Sequence, residues 1–562
     1  MNRNGRRRCE WLTLGVLGAI AGGCAVGPNY HRPAVPVPAH YTEAPGWTAA
    51  TPADQAPKGD WWRAFHDPLL DRLEPRVAIS NQTVREAYAN YRQATAEVAL
   101  ARSQLWPSIG IGGSATRGRS GGGRGSPVID AASLEGSASW SPDLWGAVRR
   151  SIEQSKALAQ VDQALLANAT LSEQTLLATS VIGLRASDAA IDLQRRTVAS
   201  YRRTLRITEN QAAAGVAQAP PSAVITARVA LETARANLVG LGVARAQYAH
   251  AIAVLAGENP EDLSIPHDGR LPDLPAVPIG LPSSLLQRRP DVAAAERTMA
   301  AENAAIGIEV AAYYPNLSLS AAAGFAQSPL NGLLHAASSV WSVGASGAET
   351  LFDFGGRRAR VRAARAAYEA AVASYRGTVL DAFERVENDL AGLRILGEQA
   401  QALDVAVRDS IRGTAIALAE YRAGTVDYTT VAQAQTVQLA DQQNALGVAQ
   451  ARLVDAVTLI GDLGGGWSAE RLAEAPAPAS LRRGGQAQGF AASLRSQERA
   501  LETIAPRSSY CGVQPSSSRT RTARATRYGG SPARRGSSRV TSFCPATFST
   551  IASSSRTDTP WP

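Results

Sequence analysis

The chain has 562 residues and a mass of 58.9 kDa, which excludes a mini-protein that needs metals or disulfides to fold. Its formal net charge of +9 comes from the two ends, since residues 476–562 alone hold 13 Arg against three acidic residues, so it does not support nucleic-acid binding by the rest of the chain. The cysteines are Cys9, Cys24, Cys511 and Cys544, which excludes a disulfide framework between residues 25 and 510.

The first 24 residues have the order of a secretory signal. Four arginines precede a short apolar run over 11–20, too short to span a membrane, and small residues then lead to Cys24. This order is similar to the bacterial lipobox, in which the chain is cut before an acylated cysteine, although Ala21 stands where leucine is usual. We expect a signal peptide over 1–23 and a covalent N-acyl diacylglycerol on Cys24. Ala25 stands where enterobacterial lipoproteins that are retained in the inner membrane have aspartate, so it favours the outer membrane. A plain signal peptide with an incidental cysteine is the alternative.

The rest of the chain is predicted to be a tandem duplication. Pro107 recurs as Pro315, and two glycines recur in the same way, each pair 208 or 209 residues apart. This separation far exceeds the 20–50 residues of solenoid repeats. We expect an extended segment over 24–65, repeat 1 over 66–257, a linker over 258–290 and repeat 2 over 291–462. A C-terminal extension over 463–562 follows, and its composition predicts disorder from about residue 476.

Each repeat contains a stretch in which apolar residues alternate with small polar ones. The alternation predicts one β-hairpin per repeat, over 106–146 and 315–354, with strands of about ten residues, long enough to cross a bilayer. Aromatic residues stand at the strand ends, as in membrane-interface belts. Four strands cannot close a barrel, and an open edge cannot face lipid, so three chains are expected to complete one of 12 strands. A hairpin that decorates a soluble protein is the alternative.

After each hairpin the hydrophobic period becomes helical. From Arg357 apolar residues recur about every 3.5 residues, the coiled-coil signature, and helices over 357–422 and 147–212 would each be about 100 Å long. Gly215 and Gly424 then mark turns into return helices, which predicts helical hairpins over 147–257 and 357–462. The pair Pro220-Pro221 is expected to displace the start of one return helix by a few residues. A cytosolic coiled-coil scaffold would also fit this period, but the signal peptide argues against it.

Several segments resemble the NodT-type outer-membrane efflux lipoproteins, relatives of TolC and OprM. They are GLPSSLLQRRPDVAAAER over 280–297, CAVGPNY over 24–30, DWWR over 60–63 and HAIAVL over 250–255. The resemblance covers roughly residues 20–470 and implies a mixed α and β membrane protein with a TolC-like channel-tunnel fold. It also implies a homotrimer with a 12-stranded barrel in the outer membrane of a Gram-negative bacterium, in contact with its lipid, and a periplasmic α-barrel.

The function that this resemblance implies is passive transport. The trimer would be the outer-membrane channel of a tripartite efflux system, receiving substrates from an inner-membrane pump, of the RND type, and a periplasmic adaptor of the membrane fusion protein class. A type I secretion channel and a non-transport trimeric envelope lipoprotein are the alternatives. We expect no enzyme, no cofactor besides the lipid and no metal site, because the six histidines lack ligand spacing and neither HExxH nor a P-loop occurs. The glycine run at 121–125 is interpreted as a hairpin loop, and the sequence does not name the cargo.

The resemblance also implies roles for residues at the two helical turns. Gly215 with Val216, and Gly424 with Thr425, occupy positions that in this family meet the adaptor, and turn geometry alone is the alternative reason for them. The candidates for the tunnel constriction are Asp427, Tyr428 and Gln433. Several relatives have an aspartate at the position of Gln433, so the glutamine leaves open whether a carboxylate gate forms.

Overall fold

The computed structural model describes residues 25–38, 40–43, 60–119, 128–277, 288–327 and 334–467. Its helices are α1 Pro68–Ser80, α2 Gln82–Ser103, α3 Ala147–Ala213, α4 Pro221–Leu255, α5 Pro290–Ala311, α6 Gly356–Ala423 and α7 Tyr428–Asp462. Its strands are β1 Ser108–Arg119, β2 Val128–Trp140, β3 Asn316–Gln327 and β4 Ser339–Ala348. The predicted signal peptide, Cys24, the glycine run and the predicted disordered tail lie outside the described residues.

The four strands form one antiparallel sheet in the order β1-β2-β3-β4, so that β2 and β3 join the hairpins of the two repeats. The register places Ile109 opposite Ala138, then Ala321 and Val343, in one row across the sheet. The next row along the strands holds polar and small residues that point to the opposite face, because strand side chains alternate. The sheet therefore has an apolar face and a hydroxyl-rich face.

The helices α3 and α6 contain 67 and 68 residues, which makes each about 100 Å long. Each folds back at a turn into a helix of 35 residues, α4 or α7. Proline is tolerated in the first turn of a helix, where no backbone donor is lost, and α4 accordingly begins at Pro221. The described part of the chain thus has a sheet at one end and two long helical hairpins, with the shorter helices α1, α2 and α5 beside them.

The duplication is visible in the backbone as well. Glycines with positive φ stand at the same helix ends in both repeats. They are Gly146 and Gly355 before α3 and α6 (φ 85° and 88°), Gly215 and Gly424 after α3 and α6 (71° and 75°), and Gly257 and Gly464 after α4 and α7 (76° and 94°). L-residues with side chains rarely adopt this conformation, which explains why glycine recurs at these helix ends.

The main hydrophobic core lies midway along the long helices. There α1 packs against α3, and a short 3₁₀ helix, Trp61–Phe65, packs against α1. The same cluster includes fully buried Leu70, Leu184 and Leu390. The segment over 24–65, expected to be extended, has no helix or strand over its described residues 25–38 and ends in the 3₁₀ helix. The division of the chain into domains otherwise stays a prediction.

Candidate functional site

The two helical turns lie at the end of the molecule remote from the sheet and share one hydrogen-bonding pattern. The amide of Val216 donates to the carbonyl of Gln211, and the amide of Thr425 donates to that of Glu420, both at 3.0 Å. This six-residue closure is the Schellman motif, which satisfies the last helical carbonyls. A Cβ added to Gly215 or Gly424 would meet no atom of the described chain within 4 Å, so the positive φ of each turn is the reason for glycine there.

The four predicted docking residues are therefore all at this end, which we call the tip. Gly215 and Thr425 are exposed, and Val216 and Gly424 are half-buried. Their contact with an adaptor stays a prediction.

The interior of the tip is organised around a buried pair of tyrosines. Tyr421 and Tyr428 lie edge to face with ring centroids 6.1 Å apart. The Tyr421 hydroxyl donates to Thr208 Oγ1 at 3.2 Å, and Gln211 Nε2 donates to the Tyr421 carbonyl at 2.9 Å. Burial raises the pKa of Tyr428 to about 12, so its hydroxyl stays neutral at physiological pH. These contacts tie α6 and α7 to α3.

The three predicted constriction residues occupy different environments. Asp427 is exposed and caps α7, where its carboxylate accepts hydrogen bonds from the Thr429 hydroxyl and from the Thr430 amide at 3.2 Å. These bonds, that of Thr429 foremost, lower the pKa of Asp427. Gln433 is exposed on α7, whereas Tyr428 is buried in the tip interior. Their role at the constriction stays a prediction.

Sequence reasoning missed the polar contacts between α3 and α7. Gln435 Nε2 donates to Thr204 Oγ1 at 3.0 Å, and both residues are buried. The sequence offers one indication, because Thr204 and Thr208 stand four residues apart and therefore lie on the same face of α3. Polar residues at such positions fix which helix packs against which, since each must find its partner.

The N-terminal segment begins at the base of the sheet. The amide of Val26 donates to the Trp145 carbonyl at 3.1 Å, and Arg150 Nε donates to the Val26 carbonyl at 3.2 Å. A Cβ on Gly146 would lie 2.6 Å from Ala25 Cα, so the chain passes directly over this glycine. The first described residue, Ala25, is therefore held where the strands meet α3.

From there the segment runs along α5 and α6 toward the middle of the molecule. The Tyr30 hydroxyl donates to Glu296 at 2.6 Å, and Arg32 donates to the Tyr375 hydroxyl at 2.9 Å. Burial and the neighbouring carboxylate raise the pKa of Tyr30. Further along, the amide of Thr42 donates to Glu387 at 2.7 Å. Nothing in the sequence pattern of this segment indicated that its side chains would be held by two helices.

The sheet presents the features of a membrane-spanning wall. The apolar face carries large side chains that are 76–84% exposed, namely Ile109, Ile111, Trp341 and Val343. On the other face hydroxyl groups meet across the strands, as between Ser108 and Ser139 at 2.8 Å. Within the described residues, β1 and β4 each have a strand on one side only. Such an edge cannot face lipid, because its backbone groups would stay unsatisfied.

Comparison with known proteins decides the family. The model of the family described as outer membrane efflux protein matches residues 75–258 and again residues 281–465. The chain belongs to the outer membrane efflux protein family. The double match accords with a duplicated chain, and the family consists of channels rather than enzymes.

Individual relatives support the membership in this family. This chain is 30% identical over 463 residues to the probable efflux pump outer membrane protein TtgC of Pseudomonas putida, and the match covers 81% of this chain and 95% of TtgC. It is 28% identical over 448 residues to Nodulation protein T of Rhizobium leguminosarum bv. trifolii, covering 78% and 92%.

Solved structures are similar as well. The outer-membrane channel OprN has 29% identity and a TM-score of 0.72, over 79% of this chain and all of that one. The open state of the MtrE channel of Neisseria gonorrhoeae has 25% identity and a TM-score of 0.70, over 79% and 98%. The predicted family, the TolC-like channel-tunnel fold, the outer-membrane location and the function as an outer-membrane efflux channel are thereby confirmed.

Proposed function

We propose that three copies of this chain form the outer-membrane conduit of a tripartite efflux assembly. Substrates would pass through it, chemically unchanged, from an inner-membrane pump of the RND type and a periplasmic adaptor to the exterior. The observation that carries this proposal is the sheet, which has one apolar face, one hydroxyl-rich face and, within the residues that the structure describes, a strand paired on one side only at each edge.

The need for more than one copy follows from the edges, and the number three is the one that the resemblance implies. A closed barrel satisfies every backbone group. If β1 of one copy pairs with β4 of the next, the ring closes and no strand edge is left unpaired. Three copies of four strands give 12, within the range of outer-membrane barrels. The apolar face then meets lipid, and the hydroxyl-rich face lines a watery lumen.

Lipid attachment at Cys24 is the second part of the proposal. Its support is the position of Ala25, which is held against Gly146 at the base of the strands, where the membrane boundary would lie. Acyl chains on the preceding residue would reach lipid directly, and each buried methylene contributes about 0.8 kcal/mol. Labelling with palmitate tests this. Cys24→Ser should abolish the label. Cys9→Ser is the control and should keep the label, because Cys9 lies in the segment that is cut off before residue 24.

The tip is the proposed site of adaptor contact and of the constriction. Gly215, Val216, Gly424 and Thr425 stand at its outermost turns and would dock the adaptor. Exposed Asp427 and Gln433 would face the axis at the closed end, and Tyr428 would hold α7 from the interior.

Conductance in planar bilayers tests the constriction. We expect Gln433→Asp to lower the current or make it depend on the cation, because three carboxylates would ring the narrowest point. Gln443→Asp is the matched control, since Gln443 is also exposed and lies ten residues farther from the tip. Equal currents in both variants and in the unmodified chain would show that the constriction is elsewhere.

The conduit itself is tested with the full-length chain extracted in detergent. Its mass should be that of three copies, and it should restore drug and dye resistance to a strain that lacks its own efflux channel but keeps pump and adaptor. A monomer that restores nothing would contradict the proposal.

A further inference from the structure

The hydroxyl-rich face of the sheet carries a single charged residue within the four strands. Three of the four charged strand residues lie on the apolar face, because each is an even number of residues from Ile109 or Ala138. These three are Arg117, Arg119 and Asp130. Glu135 lies three residues from Ala138 and therefore points to the opposite face.

Hydroxyl groups stand on both sides of Glu135 along this face. Ser133 Oγ meets Ser114 Oγ across the strands at 2.9 Å, and Ser139 Oγ meets Ser108 Oγ at 2.8 Å. These hydroxyl groups bond to one another and carry no charge at physiological pH. Glu135 is therefore the residue that gives this face its charge.

Glu135 lies near the middle of the apolar band. Its row in the register is four residues along the strands from the row of Ser108 and five from the row of Arg117. At about 3.4 Å per residue these separations are roughly 14 and 17 Å. The apolar band of a membrane barrel is about 25 Å tall, so the carboxylate stands near mid-depth. A charged side chain at this depth faces water or protein, because lipid solvates it poorly.

Glycine leaves the space beside Glu135 open. Gly112 and Gly324 flank it in its row, and a Cβ on Gly112 would meet no atom of the described chain within 4 Å. A Cβ on Gly324 would lie 2.7 Å from Glu135 Cα, so a larger residue would clash there. Among the described residues no cation pairs with Glu135, whereas Asp130 on the other face pairs with Arg117 at 3.4 Å. The Glu135 side chain is exposed and its charge is uncompensated.

We propose that Glu135 is a selectivity-determining residue of the conduit and favours cationic over anionic solutes in the barrel. This inference rests on the trimeric conduit proposed above, in which three Glu135 carboxylates stand at one depth of the lumen. Rings of acidic side chains attract cations and repel anions in membrane pores. We call the three carboxylates the Glu135 ring.

The size of the lumen makes the effect depend on salt. Twelve tilted strands about 4.8 Å apart enclose a lumen roughly 20 Å across, so the three carboxylates lie within about 20 Å of one another. The Debye length is about 30 Å at 0.01 M salt and about 3 Å at 1 M. The Glu135 ring therefore acts across the whole lumen at low salt and only close to the wall at high salt.

The reactivity of a reporter cysteine measures the charge at this depth. The sequence has no cysteine between residues 25 and 510, so Ser137→Cys in a Cys511→Ser/Cys544→Ser background adds one thiol, about 7 Å along the strand from Glu135. Rates of reaction with a cationic and an anionic methanethiosulfonate reagent are measured on the full-length chain in outer membranes. The background chain without Ser137→Cys gives the blank. The ratio of the two rates cancels the reactivity of the thiol itself, because both reagents react with the same thiolate.

Removal of the charge should lower this ratio. We expect Glu135→Gln to reduce the ratio of cationic to anionic rate by about fivefold or more at about 10 mM salt, and by less than about twofold at about 1 M. Glu135→Asp keeps the charge and should keep most of the ratio. Asp130→Asn is the matched control, since it removes a carboxylate from the same strand on the opposite face and should leave the ratio unchanged.

The reporter is independent of the constriction at the tip. The helix α3 separates the two ends by about 100 Å, many times the Debye length at either salt concentration. A changed ratio therefore reports the barrel and not the charge near Gln433.

The outcomes separate the Glu135 ring from the conduit. A trimer by mass whose ratio is the same with Glu135→Gln, or falls equally with Asp130→Asn or Glu135→Asp, overturns the selectivity role and leaves the conduit standing. A trimer in which Ser137→Cys reacts with neither charged reagent also overturns it, because residue 137 would then not face water. A monomer overturns the conduit and the Glu135 ring together.

Discussion

Arginine placed at one of two adjacent residues in β4 distinguishes the two faces of the sheet. Val343 lies near the middle of the strand, opposite Ala321, and its side chain is 76% exposed on the apolar face. Ser342 is its neighbour, opposite Ala322, and points to the hydroxyl-rich face. In the proposed barrel Val343→Arg puts a charge in lipid near the bilayer midplane, and Ser342→Arg puts the same charge in the watery lumen.

The two variants should differ strongly in stability. Arginine at the bilayer midplane of a barrel costs about 2–4 kcal/mol, and three copies bring this to roughly 6–12 kcal/mol per trimer. That is comparable with the whole stability of a typical folded domain, about 5–15 kcal/mol. Ser342→Arg adds no lipid-facing charge, so we expect it to cost about 1 kcal/mol or less per copy and to reduce cation current by repulsion in the lumen.

The assay is the fraction of SDS-resistant trimer in purified outer membranes, together with the urea midpoint of unfolding in liposomes. Val343→Arg should lose most of the trimer, and Ser342→Arg should keep it. If both variants assemble equally well, or if Ser342→Arg is the more damaging, the assignment of the faces is wrong.

Three further changes test the helical part. Gly424→Ala should lower the free energy of unfolding by about 1–2 kcal/mol, because the residue has φ of 75°. Gly413→Ala, inside α6 and in equally open surroundings, is the control and should raise the free energy of unfolding slightly. Thermal melts compare the two variants. Tyr421→Phe should cost about 1 kcal/mol through loss of the bond to Thr208, and an unchanged melt would argue against that bond. Glu74 is fully buried and has no hydrogen-bond partner among the described residues, and burial raises its pKa to about 9. Between about pH 4.5 and 9 the carboxyl group is therefore deprotonated in the unfolded state but still protonated in the folded one. The free energy of unfolding should fall across that window by at most about 1.4 kcal/mol per pH unit. Glu74→Gln should flatten this pH dependence, as measured by urea titrations.

Much of the architecture was readable from local pattern. A period of two predicted the strands, and a period of 3.5 with glycine at the turns predicted the long helices, α3 at Ala147–Ala213 where 147–212 was expected. These features depend on neighbouring residues alone, which is why sequence suffices for them. The helices α2 and α5, each of 22 residues before a hairpin, were not predicted.

The tip shows where sequence reasoning stops. The turn glycines were found from their positions, and the backbone hydrogen bonds of both turns agree with a Schellman ending. The packing of Tyr421 and Tyr428 against α3 was not found, because the contact joins residues more than 200 positions apart. The constriction residues likewise gained their separate environments, one buried and two exposed, only from the fold.

By itself, the sequence determined the duplication, the kinds of element in each repeat and the face of each element that is apolar. Tertiary structure alone decided that β2 pairs with β3, that α3 lies between α4 and α7, and that the N-terminal segment follows α5 and α6. The physical reason is that periodicity states which face of an element must be covered, whereas the identity of the covering element depends on contacts between distant residues.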